Sequence, residues 1–480
     1  MNAGNRDPIE HVVLLILENH SFDQMMGSFK SIYPTLEGVD PNSPGTNVDD
    51  NGKQFFQQET TERQVMLDPH HEVNHVIVQL SDHNGGFIKD YVSVYPNASE
   101  QDRQNIMGYY PVDFLPGLHT LARHFTICDH WFASLPGPTW PNRFFALSGT
   151  SSGQVDMPDD GTHKADLGGF LEQSQPTLFD RLTEKNIDWR IYYHDIPQSL
   201  VFIRQREPEN AARYFSINTF FKDASGRASD FPGFAYFEPR YQGQDQNDDH
   251  PPHDIMKAQK LIADVYNALR ANDELWKSTL FVLFYDEHGG FYDHVVPPAA
   301  VPPDTYSHGY DFKQLGIRVP ALLVSPWVEN TIDKTIFDHT SCLKYASEKW
   351  GLADMRERVK NANNFASAIR SEWTQPRNDI PSKIELTADQ LKAPNAALEK
   401  EAAEYKNAHQ HALMAFGNWV DLAAPQGFFS FAQVANWISA HPELLAIATA
   451  VNPAIPFALN FYEAEQKIAK FIARQKTKGR

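Results

Sequence analysis

The residues best suited to chemistry fall in two short runs, each at the end of an apolar stretch. Asp286-Glu287-His288-Gly289-Gly290-Phe291-Tyr292-Asp293-His294 follows Leu280 to Tyr285, and Glu18-Asn19-His20-Ser21-Phe22-Asp23 follows Val12 to Leu17. Both apolar stretches have the length of buried strands, and open α/β sheets bind ligands and metals outside the carboxyl ends of their strands. Parallel neighbouring strands would bring Glu18, Asn19, Asp286 and Glu287 to one sheet edge. Three carboxylates at one point repel unless protons or a cation neutralise them. Their oxygen donors suit magnesium, manganese or calcium by ligand type, and zinc accepts carboxylates too. The competing reading is a charged turn in which Asn19-His20-Ser21 caps a helix. It leaves Glu18 unexplained.

A third run is Gly137-Pro138-Thr139-Trp140-Pro141-Asn142-Arg143. Prolines on both sides of Thr139 stiffen the loop that carries its hydroxyl. Such a hydroxyl becomes a nucleophile when something lowers its pKa, and metal coordination does so. Asn142 is a candidate to hydrogen-bond a non-bridging phosphoryl oxygen, and Arg143 to do the same or to pair with a carboxylate. Most threonines in proline-rich loops are structural. Histidines number 20. They gather beside these runs at His70, His71 and His75, His194, His250 and His253, His288 and His294, and His339. An imidazole near neutrality can protonate a leaving oxygen or ligate a metal. Gly149-Thr150-Ser151-Ser152-Gly153 matches a hydrolase elbow, which needs a strand before it and a helix after it. Phe144 to Leu147 is the candidate strand, but Gln154 to Gly161 makes a poor helix start.

The elements that would position these residues alternate between strands and helices. Ile187 to Tyr193 and Val319 to Val324 read as further strands, and Asp254 to Lys277 and the stretch from Asp338 as helices. Alternation of this kind predicts an α/β fold, a central, mainly parallel sheet sandwiched by helices. Residues 29 to 65 read as a surface excursion. Composition changes near residue 375. Residues 1–375 are expected to form the catalytic domain, and 376–480 a helical C-terminal appendage with helix-like stretches at 398–422 and 431–475. The tail from Lys467 to Arg474 sets apolar residues among cations, a pattern that fits a solvated helix end better than a peripheral membrane contact.

The 480 residues carry 42 Lys and Arg against 61 Asp and Glu, a formal charge of −19 that opposes nucleic-acid binding. Two cysteines allow at most one disulfide. No apolar run has membrane-spanning length, so the chain is expected to be soluble.

Taken together, these motifs resemble the bacterial phosphoesterase family of phospholipases C and related metal-dependent acid phosphatases. The likeness runs in order through the Glu18, Asp68-Pro69-His70-His71, Gly137, His250-Pro251-Pro252, Asp286 and Asp338-His339-Thr340-Ser341 runs, over about residues 8 to 352. It implies an alkaline-phosphatase-like fold and one divalent ion (Ca, Mg, Mn or Zn) held by Glu18, Asn19, Asp286, Glu287 and the Thr139 hydroxyl. Thr139 would attack phosphorus to give a phosphothreonine, and His250 would protonate the leaving alcohol. His71, Asn74 and His194 would contact phosphoryl oxygens or line the pocket, Asn74 standing where the family commonly has an acid. His288 and Asn142 are further substrate-binding candidates, with His288 and His339 open between substrate, second metal and scaffold. The implied substrate is a phospholipid or similar diester, with phosphomonoesters as the alternative. Relatives are usually exported behind a signal sequence, which is not visible here, and the larger ones end in β-type domains rather than helices. Two readings from other classes stay open: a serine esterase using Ser151, and a catalytically silent lipid- or partner-binding protein.

Overall fold

The computed structural model describes residues 7–158, 170, 173–243, 245–307, 309–423 and 461–478. Its centre is an eight-stranded sheet built from β1 (His11–Leu17), β2 (Thr126–Cys128), β3 (Trp189–Tyr193), β4 (Tyr214–Ser216), β5 (Phe234–Glu238), β6 (Thr279–Tyr285), β7 (Ala321–Val324) and β8 (Ile332–Asp333). They lie in the order β8-β2-β7-β6-β1-β5-β3-β4. Only β7 runs against its neighbours; every other pairing in this sheet is parallel. Every residue of β1 and β6 is buried. An apolar run without alternation is what a parallel strand covered on both faces requires.

The covering helices pack in pairs: Pro116–Ala122 with Ile255–Arg270, and Thr139–Ser148 with Thr340–Trp350. The α/β expectation therefore holds. One expected strand does not, because Phe144 to Leu147 lies inside the helix Thr139–Ser148. Gly149 ends that helix in the left-handed conformation (φ 77°), so the G-x-S-x-G run is a helix C-terminus and not an elbow. Ser151 is buried and donates its hydroxyl to the Gln154 carbonyl 2.5 Å away. The serine-esterase reading falls with that geometry.

Beyond residue 375 the described chain is helical at Ala388–Leu391, Ala396–Glu404, Ala408–Ala423 and Phe461–Lys478. Of the helix-like stretch expected over 431–475, residues 431–460 lie outside the described residues and the remainder falls within Phe461–Lys478. The last two helices pack together, and Ile468, Phe471 and Ile472 are buried. The apolar residues of the basic tail therefore pack against protein in this structure. Among the described residues no helix is long and apolar enough to cross one. Both cysteines are free and buried.

A buried ion network fixes the loops that leave β1 and β6. Arg318 lies 2.9 Å from Asp23 and 3.2 Å from Asp293, with its guanidinium 4.3 Å from the Phe22 ring centroid. His294 Nδ1 meets Asp23 at 2.7 Å. Asp23, Asp293 and His294 are a metal-like trio by residue type. Arg318 already supplies the positive charge between the two carboxylates.

Burial opposes the charge on His294, but Asp23 outweighs it and raises the imidazole to about 9 from an ordinary 6.5. A raised folded-state pKa stabilises fully below the unfolded value and is lost as pH rises through the folded one. His294→Gln is therefore expected to lower the denaturant midpoint at pH 6 and to match wild type by about pH 9.5. An equal deficit at both pH values would show that the imidazolium is not the stabilising group.

Candidate active site

The register of the sheet makes the site. Leu17 lies opposite Tyr285 in the parallel pair of β1 and β6, so the next residues, Glu18 and Asp286, leave the sheet side by side. Asp286 N–H donates to the Leu17 carbonyl at 3.0 Å, carrying the pairing one step past the strand end. The two loops then pass closely. Gly289 has φ 64°, and a Cβ there would lie 2.1 Å from the Asn19 carbonyl oxygen. Only a residue without a side chain fits that approach.

Arg143 joins the two loops. Its Nη2 lies 3.1 Å from Glu18 Oε1, its Nε donates to Asp286 Oδ2 at 2.9 Å, and its Nη1 donates to the Tyr241 hydroxyl at 2.9 Å. Arg143 follows Thr139 by four residues on the helix Thr139–Ser148, so the two side chains share a face. The loop before that helix is stapled by Asn142, whose Oδ1 accepts from Leu135 N–H and whose Nδ2 donates to carbonyls of residues 135, 137 and 138. This corrects the expected phosphoryl contact: the Asn142 amide serves its own loop.

Even with Arg143 present, the acidic groups exceed the cation. Burial, with Asp286, Asp248 and Glu287 nearby, pushes Glu18 well above the carboxylate range against the pull of Arg143. Burial and Asp286 push Glu287 up to about 8, opposed by His71. Glu18 Oε2, Asn19 Oδ1 and Glu287 Oε1 are buried without a hydrogen-bond partner, and Glu18 Oε1 has only the Arg143 ion pair. Unsatisfied hard oxygens at one strand edge fit a divalent cation. Asp286 is more committed, since Oδ1 accepts from the N–H groups of Asn19 (3.3 Å) and Glu287 (2.8 Å) while Oδ2 holds Arg143.

A cavity of about 200 Å³ opens beside this cluster, lined by Thr139, His71, His250, Tyr405, Asn407 and His409 among others. Its walls reach the oxygen cluster in two places. His71 Nε2 accepts from Asn19 Nδ2 at 3.2 Å and lies 3.8 Å from Glu287, and His409 Nε2 lies 3.6 Å from Glu18. Thr139 opens a ten-residue helix, so the positive end of that helix is at its hydroxyl. His250 Nδ1 pairs with the Pro251 carbonyl, which leaves Nε2 for the cavity, and burial keeps the ring neutral. Trp140 Nε1–H donates to His409 Nδ1 at 2.9 Å, which places the His409 proton on Nε2, an atom buried without a hydrogen-bond partner.

Four candidate residues lie elsewhere. Asn74 is exposed on the helix Val73–Gln79 and does not line the cavity. His194, at the end of β3, shares a hydrogen bond with Asn247 and is likewise outside the cavity wall. His288 is buried behind Glu287, donating Nε2–H to Gln79 Oε1 at 2.7 Å. His339 belongs to the scaffold, stacked on Phe284 with Nε2 on the Asp286 carbonyl at 2.6 Å. The converse omission is His409, with Tyr405 and Asn407. No spacing ties them to the earlier motifs; the only cue was the His409-Gln410-His411 pattern in an otherwise plain helical stretch.

The Phosphoesterase family pattern matches residues 9–353. Non-specific phospholipase C3 of Arabidopsis thaliana is 32% identical over 420 residues, covering 79% of this chain and 76% of that one. Phospholipase C B of Mycobacterium tuberculosis is 27% identical over 82% of this chain and 85% of its own, and the non-hemolytic phospholipase C of Pseudomonas aeruginosa 27% identical over 82% and 62%. Among solved structures, a phosphonate monoester hydrolase of Agrobacterium radiobacter aligns with a TM-score of 0.36 at 9% identity, covering 77% of this chain and 79% of that one. So loose a likeness adds nothing to the strand order itself. On the match across residues 9–353, and on the identity shared over most of the plant relative, the chain belongs to the phosphoesterase family and is a hydrolase of phosphoric ester bonds.

Proposed function

We propose that this hydrolase cleaves a phosphodiester of the phospholipid kind through a phosphothreonine on Thr139. The observation that carries the proposal is the meeting of Thr139, at a helix N-terminus, with a cavity whose walls approach the carboxylate oxygens of Glu18 and Glu287 and hold the Asn19 amide. The names of the relatives supply the substrate class.

Glu18, Asn19 and Glu287, with Asp286 and the Thr139 hydroxyl, would hold a divalent ion, which when bound lowers the hydroxyl pKa and draws charge from the phosphoryl group. The Thr139 Oγ–P bond forms as the ester P–O bond to the alcohol breaks, and the Thr139 hydroxyl gives its proton to water in the cavity as it attacks. His250, protonated at Nε2 by solvent once an anionic substrate is beside it, gives that proton to the leaving alkoxide; neutral again, it takes one from the water whose oxygen bonds to phosphorus as the Thr139 Oγ–P bond breaks, and returns a proton to Thr139 Oγ. His409 Nε2–H is the buried donor available to a phosphoryl oxygen. His71 is held by Pro69 and Asn19 and positions Asn19 for the oxygen cluster. Arg143, committed to Glu18 and Asp286, fixes the strand ends and does not bind substrate.

Thr139→Ala is expected to lower kcat by at least about 10³-fold with the fold intact, and Thr139→Ser to recover part of it. Acid quenching during turnover of a ³²P-labelled ester should leave label on wild type and none on Thr139→Ala. Undiminished turnover by the alanine variant would rule out the covalent route.

Chelation is expected to stop turnover of both p-nitrophenylphosphorylcholine and p-nitrophenyl phosphate, with recovery on adding back a divalent ion. The diester should be the better substrate, and a higher kcat/KM for the monoester would make the chain a phosphatase. Glu18→Gln should lose retained metal in parallel with activity.

His409→Gln keeps a hydrogen-bonding side chain beside Trp140 but moves the donor. A fall in kcat of roughly 10–100-fold with little change in KM is expected of a donor used mainly in the transition state. A change in KM alone would limit His409 to shaping the cavity.

A further inference from the structure

His70 and Glu72 line the reaction cavity with His75 beside them, and the chemistry above does not use these three. One ligand atom from each falls within 4.8 Å of those of the other two. His70 Nδ1 is 3.2 Å from Glu72 Oε2, and the two imidazole rings are 4.6 Å apart. The trio is partly exposed, with 35%, 23% and 20% of the three side chains open to solvent, so an ion can reach it.

We propose that these three side chains form a second metal site, for a borderline transition-metal ion of the Zn²⁺ class. Two imidazoles and one carboxylate are zinc ligands by type, in contrast with the all-oxygen cluster at the strand ends. Three protein ligands leave a tetrahedral ion one open position, and both His70 and Glu72 line the cavity.

The surroundings of the trio support a ligand role independently. Asp90 takes His75 Nδ1 at 2.7 Å, which leaves Nε2 to offer. A carboxylate behind a ligating imidazole is the usual means of fixing its tautomer and raising its basicity. Gln79 secures the same shell, donating to Asp90 Oδ2 at 2.7 Å and to the His70 carbonyl at 2.8 Å. Gln79 Oε1 also accepts from His288, whose Nδ1 is 3.4 Å from Glu287. One side chain thus joins this trio to the oxygen cluster. The segment between the ligands carries His71, so an ion at the trio would also pin the residue that holds Asn19. The bland alternative for the 3.2 Å contact is an imidazolium–carboxylate pair. Zinc and that proton compete for the same nitrogen.

Equilibrium dialysis against Zn²⁺, followed by metal analysis, tests the site on the intact chain. Wild type is expected to hold one more equivalent per chain than either His75→Ala or His70→Asn, with circular dichroism confirming that the variants are folded. Asp90→Asn should keep the stoichiometry and weaken that equivalent about 10–100-fold. Wild type alone supplies a second measurement: saturating Zn²⁺ should protect His70 and His75 from diethyl pyrocarbonate, as mapped by mass spectrometry. Equal zinc content in wild type and folded variants would overturn the proposal. Unchanged modification of both histidines at saturating zinc would do so as well.

Discussion

Arg143 between Glu18 and Asp286 is the interaction on which the rest of this structure depends. Two parallel strands deliver carboxylates to the same edge, where the dielectric is low and their repulsion is strong. The guanidinium meets both at about 3 Å while its remaining donors reach tyrosine hydroxyls and a strand carbonyl. Removing one member of such a buried group typically costs about 3–5 kcal/mol, because the others are left uncompensated. Arg143 can be there only because its helix starts at Thr139, four residues earlier. The ion pair that makes the acidic edge tolerable thereby also places the nucleophile candidate beside it.

The remaining charge imbalance defines the chemistry. Glu18 and Glu287 sit well above the ordinary carboxylate range, and several of their oxygens lack hydrogen-bond partners. A site designed only for stability would not leave hard donors unsatisfied in its interior. Farther out, Arg318, Asp23, Asp293 and His294 meet the same kind of demand with protein groups alone. The two clusters are close in composition, yet only the one at the strand ends is short of positive charge.

The strand ends were legible in the sequence because burial on both faces writes an unbroken apolar run, and a carboxylate directly after such a run stands out. β1 and β6 were readable for this reason, and so was their shared edge. β5, which pairs with β1 on its other side, ends in a buried Glu238 within an aromatic stretch and gave no comparable boundary. The helix Thr139–Ser148 was partly misread because Phe144 to Leu147 is a four-residue apolar run, short enough to pass for a strand. Pro138 just before its start and Gly149 just after its end were the better guides. Asn142 lay in the right motif, but nothing in a sequence says whether an amide faces its own loop or a ligand. Asn74 and His194 were placed by resemblance alone, and local geometry points them elsewhere. His409 was out of reach because its closeness to Glu18 is a product of tertiary packing across nearly four hundred residues.

Tyr405, Asn407 and His409 give the cavity a wall that arrives late in the polypeptide. Synthesis proceeds from the N-terminus, so both acidic strand tips and the Thr139 loop can fold while that wall is still inside the ribosome. The Trp140–His409 hydrogen bond then acts as a final latch. Until it forms, the Trp140 indole N–H lacks that acceptor and the cavity lacks the side that Tyr405, Asn407 and His409 supply.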